Sequence, residues 1–109
     1  MPDLLTALYK IIPEWISKFK VPAKAVYLSG SHAKGIATKE SDVDIFLQLE
    51  DHVVHPESTL IWMDNHTSWQ KYLSQRTGRK VHLELYEGEE SPTLKKALAE
   101  SSILLYPRA

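Results

Sequence analysis

Apolar residues Leu4, Leu5, Leu8, Ile11 and Ile12 recur at helical spacing, which predicts a helical N-terminal stretch. Pro13 fits the first turn of a second short helix carrying Trp15, Ile16 and Phe19, and Pro22 ends it. Ala25 to Leu28 form a β-prone run that stops at Ser29, Gly30 and Ser31, so strand one empties into a turn. From Asp42 to Leu49 the chain alternates: Val43, Ile45, Leu47 and Leu49 share one face, and Asp42, Asp44, Phe46 and Gln48 share the other. This is strand two. Residues 50 to 57 are polar and contain Pro56, so they read as a loop, after which Ser58 or Thr59 can begin a helix. Trp62, Trp69, Tyr72 and Leu73 give that helix an apolar stripe, and Gly78 is placed to end it. Val81, Leu83 and Leu85 alternate with His82, Glu84 and Tyr86 as strand three. Ser91 can cap a helix with Pro92 at its first position, running through Leu94, Ala97 and Leu98. Ile103 to Tyr106 suggest a last strand. The mixture of helices and strands is α/β in class, and no repeat or linker divides the chain, so residues 1–109 read as one domain.

Composition narrows the function. With 13 basic and 14 acidic side chains the formal charge is −1, so bulk electrostatics calls for neither a nucleic acid nor an anionic membrane. The absence of cysteine removes disulfides, thiolate chemistry and cysteine-type zinc sites. Asp3, Pro13 and Glu14 interrupt the N-terminal apolar residues, so no signal peptide is read there, and no apolar run approaches the roughly 20 residues that span a bilayer. The expectation is a soluble, cytoplasmic protein.

The informative stretch is Leu28 to Leu47, LSGSHAKGIATKESDVDIFL, in which a strand, a Gly-Ser turn, a second glycine and an Asp-x-Asp strand follow in order. Gly30 lets the backbone turn sharply and approach a ligand, and the Ser31 hydroxyl and nearby N–H groups can donate to phosphate oxygens. A short helix opening over Ser31 to Lys34 would add its N-terminal dipole to that attraction. Asp42 and Asp44 project from one strand face about 6.8 Å apart along the backbone. At that spacing two carboxylates can converge on a hard divalent cation that keeps substrate phosphates in its shell.

This stretch resembles the signature of the nucleotidyltransferases related to DNA polymerase β: Gly-Ser, about ten residues, then Asp-hydrophobic-Asp. Ten residues, His32 to Ser41, separate Ser31 from Asp42 here. The longer match, Gly30, Ser31, Ala33, Gly35, Ser41, Asp42, Val43 and Asp44, is most similar to the minimal nucleotidyltransferases, several of which are antitoxins paired with an all-helical toxin. The resemblance implies a small mixed β-sheet flanked by helices. It also implies magnesium or manganese as cofactor, ATP as substrate and AMP as the transferred group, with a tyrosine hydroxyl on a small helical toxin as acceptor. Gly30, Ser31, Lys34, Gly35 and Ser41 would then bind nucleotide, and Asp42 and Asp44 would bind metal. Two other roles stay open: a non-catalytic antitoxin that covers its partner, and the nucleotide-binding subunit of a small-molecule adenylyltransferase. Homo-oligomerisation is open too.

The family adds a third acid from the neighbouring strand, and here the pattern departs. In Lys80 to Tyr86, KVHLELY, His82 stands where aspartate is expected and Glu84 lies one pleat further, both on the face of Asp42 and Asp44. Glu84 could reach back as third metal ligand or act as general base through a water, and His82 could itself be a base. Elsewhere, His32, His52, His55 and His66 show no zinc spacing and read as surface residues. Trp62, Trp69 and Tyr72 read as core or partner contacts, and Glu87, Glu89 and Glu90 as a solvated loop.

Overall fold

The computed structural model describes residues 3–38, 40–87 and 91–107. Its elements are α1 (Leu4–Phe19), β1 (Ala23–Ser29), α2 (Gly30–Lys34), β2 (Val43–Leu49), α3 (Glu57–Thr77), β3 (Val81–Leu85), α4 (Pro92–Glu100) and β4 (Ile103–Tyr106). The strands make one sheet in the order β3-β2-β1-β4. β1 runs antiparallel to both β2 and β4, while β2 and β3 are parallel and joined through α3. The sheet is therefore mixed, as the resemblance implied.

Alternation in β2 and β3 turns Val43, Ile45, Leu47, Val81 and Leu83 to one sheet face, where they are buried with Leu8, Ile12 and Trp15 of α1 and Trp69 and Leu73 of α3. Trp15 and Trp69 meet edge to face with centroids 5.8 Å apart, and Trp69 also meets Trp62. Each fully buried leucine in this core contributes about 1.5–3 kcal/mol of apolar burial. β2 lies inside the sheet, so β1 and β3 hold it on both sides. That leaves the polar face of β2, with Asp44 on it, as a firmly positioned surface.

Four local expectations are corrected. Pro13 does not open a second helix but lies inside α1. Leu8, Ile11, Ile12 and Trp15 all enter the core from that one helix, and their burial outweighs the single hydrogen bond that proline cannot make. The start of α3 is at Glu57, with Pro56 as its cap residue; Ser58 is instead buried and its hydroxyl has no partner among the described residues. Ser91 caps α4 by position, yet its hydroxyl accepts a hydrogen bond from the Glu87 N–H of the preceding loop. Phe46, on the polar parity of β2, is only 6% exposed, flanked on an inner strand by Tyr27 of β1 and Glu84 of β3. Of the acidic loop, Glu87 is exposed; Glu89 and Glu90 lie outside the described residues. Among the described residues no helix is long and apolar enough to cross a membrane.

Candidate functional site

The turn at the end of β1 and the start of β2 are brought into contact. Ser29 pairs with Asp44 across the antiparallel β1–β2 ladder, so Gly30 lies directly beside the Asp44 side chain. Gly30 has φ +70°, and a Cβ built there would stand 3.2 Å from Asp44 Cγ and overlap Oδ2. Glycine is thus required twice, by the left-handed backbone and by the carboxylate that occupies the space of a side chain. α2 follows at once as a single short turn whose first amides have no intrahelical acceptors. Five residues make a weak dipole, so any attraction for phosphate comes mainly from these N–H groups and the Ser31 hydroxyl.

The parallel β2–β3 ladder settles the neighbours of Asp44. Asp44 pairs with His82, whereas Glu84 pairs with Phe46. Laterally paired residues point to the same face about 4.8 Å apart, while one pleat along a strand is about 6.6 Å. His82 is therefore beside Asp44, and Glu84 is beside the aromatic ring one step away. Both are exposed, so neither is held by packing.

Partial burial is the main influence on the Asp44 carboxyl and raises its pKa; His82 opposes this, Asp42 adds to it by like-charge repulsion, and His32 opposes it again. No described residue donates a hydrogen bond to either aspartate. Asp42 lies just before β2, near enough to act on Asp44, and two such carboxylates, one partly desolvated and neither in an ion pair with a lysine or arginine among the described residues, form a donor pair suited to a divalent cation that completes its shell with water and phosphate oxygens. In the side-chain arrangement seen, no three histidine, aspartate or glutamate residues among those described are already gathered as a metal cluster. The Asp42, Asp44 and Glu84 triplet expected from the sequence is accordingly not assembled.

The other expected nucleotide ligands divide. Ser31 is half-buried at the start of α2, while Lys34 is exposed at its end and Gly35, with φ +75°, closes it. The Ser41 hydroxyl accepts from the Thr38 N–H at 2.9 Å, so it organises the loop entering β2. His32, taken as a surface residue, has Nε2 3.4 Å from the Ser41 carbonyl oxygen and acts electrostatically on Asp44. Its place directly after Gly-Ser was the available signal. His52, His55 and His66 lie on other elements, away from this group. A cavity of about 400 Å³ lies at the opposite end of β2 and another of about 550 Å³ lies between α1 and α3, and neither is lined by Asp42 or Asp44. Asp42 and Asp44 are both partly exposed.

Residues 10–109 match the polymerase beta nucleotidyltransferase domain. A Methanocaldococcus jannaschii protein provisionally named protein adenylyltransferase MJ1379 is 31% identical over 88 residues, 81% of this chain and 82% of its own length. Two solved structures share the fold with a TM-score of 0.68, each covering 92% of this chain and 73% of the matched chain. One is a toxin-antitoxin with AMP-PNP at 16% identity, and the other is a double aspartate-to-glutamate mutant of the toxin-antitoxin MntA-HpeT at 15%.

Proposed function

The chain belongs to the polymerase beta nucleotidyltransferase family, and from that premise we propose that it transfers AMP from ATP to a hydroxyl group, with a tyrosine of a helical toxin-like partner as acceptor. The observation that carries this reading is the packing of the Asp44 carboxylate against Gly30. It sets the Gly30-Ser31 turn, whose N–H groups would meet phosphate, beside a carboxylate from a different strand that would meet a cation, and a metal-triphosphate complex needs both. The name of the 31% identical relative supports a protein acceptor, and the solved neighbours support a toxin partner and an adenine nucleotide.

In this reading the α2 amides and Ser31 hold the triphosphate, and Asp42 and Asp44 hold magnesium or manganese with it. When bound, the cation supplies neutralisation of phosphate charge and a lowered pKa at the acceptor hydroxyl. The acceptor oxygen attacks the α-phosphorus, its proton passes to water, the bond from the α-phosphorus to the bridging oxygen breaks, and pyrophosphate leaves. Asp42 and Asp44 are partly exposed, which supports an acceptor presented by another protein.

A second reading follows from the displacement of Glu84 beside Phe46: a non-catalytic antitoxin that keeps the nucleotide fold as a scaffold. Incubation of the chain with labelled ATP, a divalent cation and the product of its neighbouring gene, followed by mass spectrometry, separates the two. Transfer predicts an added AMP on the partner that is lost in the Asp42→Asn/Asp44→Asn variant. A stable complex with no added mass defeats the enzymatic reading.

A further inference from the structure

We propose that the cavity at the C-terminal ends of β2 and β3 is a second binding site, and that it takes a primary alkylammonium group, carried by a free amine or by a lysine side chain. It lies at the far end of β2 from Asp42 and Asp44 and stands apart from the nucleotidyltransferase reading.

Strand ends and the first turn of α3 build the cavity. Tyr86 donates its N–H to the Leu47 carbonyl at 2.8 Å, Glu50 donates to Pro22 at 2.9 Å, and Val53 donates to Glu50 at 2.9 Å, so the walls follow from the sheet. The Ser58 N–H donates to the Val54 carbonyl at 2.9 Å, which fastens the start of α3 to the same loop. The volume, about 400 Å³, is in the range of small-molecule sites, roughly 300–1,000 Å³. Ser58 is part of this wall, is 5% exposed, and its hydroxyl has no hydrogen-bond partner among the described residues. A buried hydroxyl left unpaired costs free energy, and a ligand with an N–H donor would supply the missing partner.

Charge selects the ligand. Glu50, Asp51 and Glu87 line the cavity, and no lysine or arginine does. Asp51 is paired with Lys24 at 2.8 Å and Glu50 is 3.4 Å from His52 Nδ1, while Glu87 is in no ion pair among the described residues. The N-terminus of α3 brings the equivalent of only about half a positive charge, so the unpaired Glu87 carboxylate alone outweighs its preference for an anion. Leu49, Val53, Val54 and Leu85 line much of the rest, which suits an alkyl chain behind a charged head. Tyr86, whose ring meets Tyr27 edge to face with centroids 6.5 Å apart, adds an aromatic wall of the kind that attracts cations.

Amide chemical-shift titration of the full chain by NMR with n-butylamine, n-butanol and butyrate tests this, because the three probes share an alkyl chain and differ in head group. n-Butylamine is expected to shift amides of residues 49–58 and 85–87 and to leave those of residues 29–44 in place. n-Butanol and butyrate should bind at least about tenfold more weakly, and Ser58→Ala and Glu87→Gln should each weaken n-butylamine about tenfold, the scale of a lost hydrogen bond to a charged group. Circular dichroism checks that both variants remain folded. Nα-acetyl-lysine methylamide in a parallel titration separates the sources. Binding tighter than that of n-butylamine assigns the site to a lysine side chain of a partner, and weaker binding assigns it to a free amine. Equal affinity for n-butanol, shifts confined to other residues, unchanged n-butylamine affinity in both variants, or no saturable shift with either amine overturns the proposal.

Discussion

Replacing Gly30 with alanine separates the backbone role of a glycine from its role in making room for a ligand group. Gly30, Gly35 and Gly78 all have φ between +68° and +75°, so an alanine at any of them carries the same left-handed strain, about 1–2 kcal/mol. At Gly35 and Gly78 a Cβ would meet nothing within 4 Å, and strain is the whole effect. At Gly30 it would overlap Asp44 Oδ2, and the carboxylate must turn away from the turn it now packs against. Losing one of two carboxylate ligands should weaken cation-dependent ATP binding at least about tenfold, or about 1.4 kcal/mol. Urea unfolding should therefore rank the three variants within about 1 kcal/mol of one another. Calorimetric titration with ATP and Mn²⁺ should single out Gly30→Ala from Gly78→Ala, which should bind as the wild type does. Gly30→Val adds a β-branched side chain and should bind still less while remaining folded by circular dichroism. Nucleotide affinity in Gly30→Ala equal to that in Gly78→Ala would refute the reasoning, because the overlap with Asp44 would then have no consequence for ligand.

Burial raises the Asp44 pKa above its ordinary 3.8, so the native state holds that proton more firmly than the unfolded chain does, and stability falls as pH rises from that value upward. Asp44→Asn should accordingly raise ligand-free stability in urea unfolding at neutral pH, by no more than about 1 kcal/mol for a group only partly buried. The gain should vanish as pH is lowered toward 4, and metal-dependent nucleotide binding should be lost at every pH; a gain that persists at low pH would contradict this. Leu73→Ala empties a fully buried position of α3 against the sheet and should cost about 2–5 kcal/mol in urea unfolding. Ser58→Ala removes a buried hydroxyl without a partner, so stability should hold or rise by about 1 kcal/mol, whereas a loss of that size would reveal a hidden hydrogen bond.

Several features of this protein were legible in the residues alone because they are local. Alternation from Val43 to Leu49 and from Val81 to Leu85 marks two strands and their buried parity, and Gly78 marks a helix end, since each depends only on near neighbours. The order of Gly-Ser and Asp-x-Asp likewise announced the family, for the chemistry needs those groups at the end of one strand and on the next. Position 13 shows the limit of local rules: a proline that should start a helix lies within one, because the core accepts Ile11, Ile12 and Trp15 from the same continuous α1. The relation of His82 and Glu84 to the aspartates belonged to tertiary structure. Alternation assigns both to one face, but which of them stands beside Asp44 depends on how far β3 is shifted along β2. That shift is set by backbone hydrogen bonds between segments separated by the whole of α3 and by burial of Val43 beside Val81, and a periodic pattern within one strand carries no information about it.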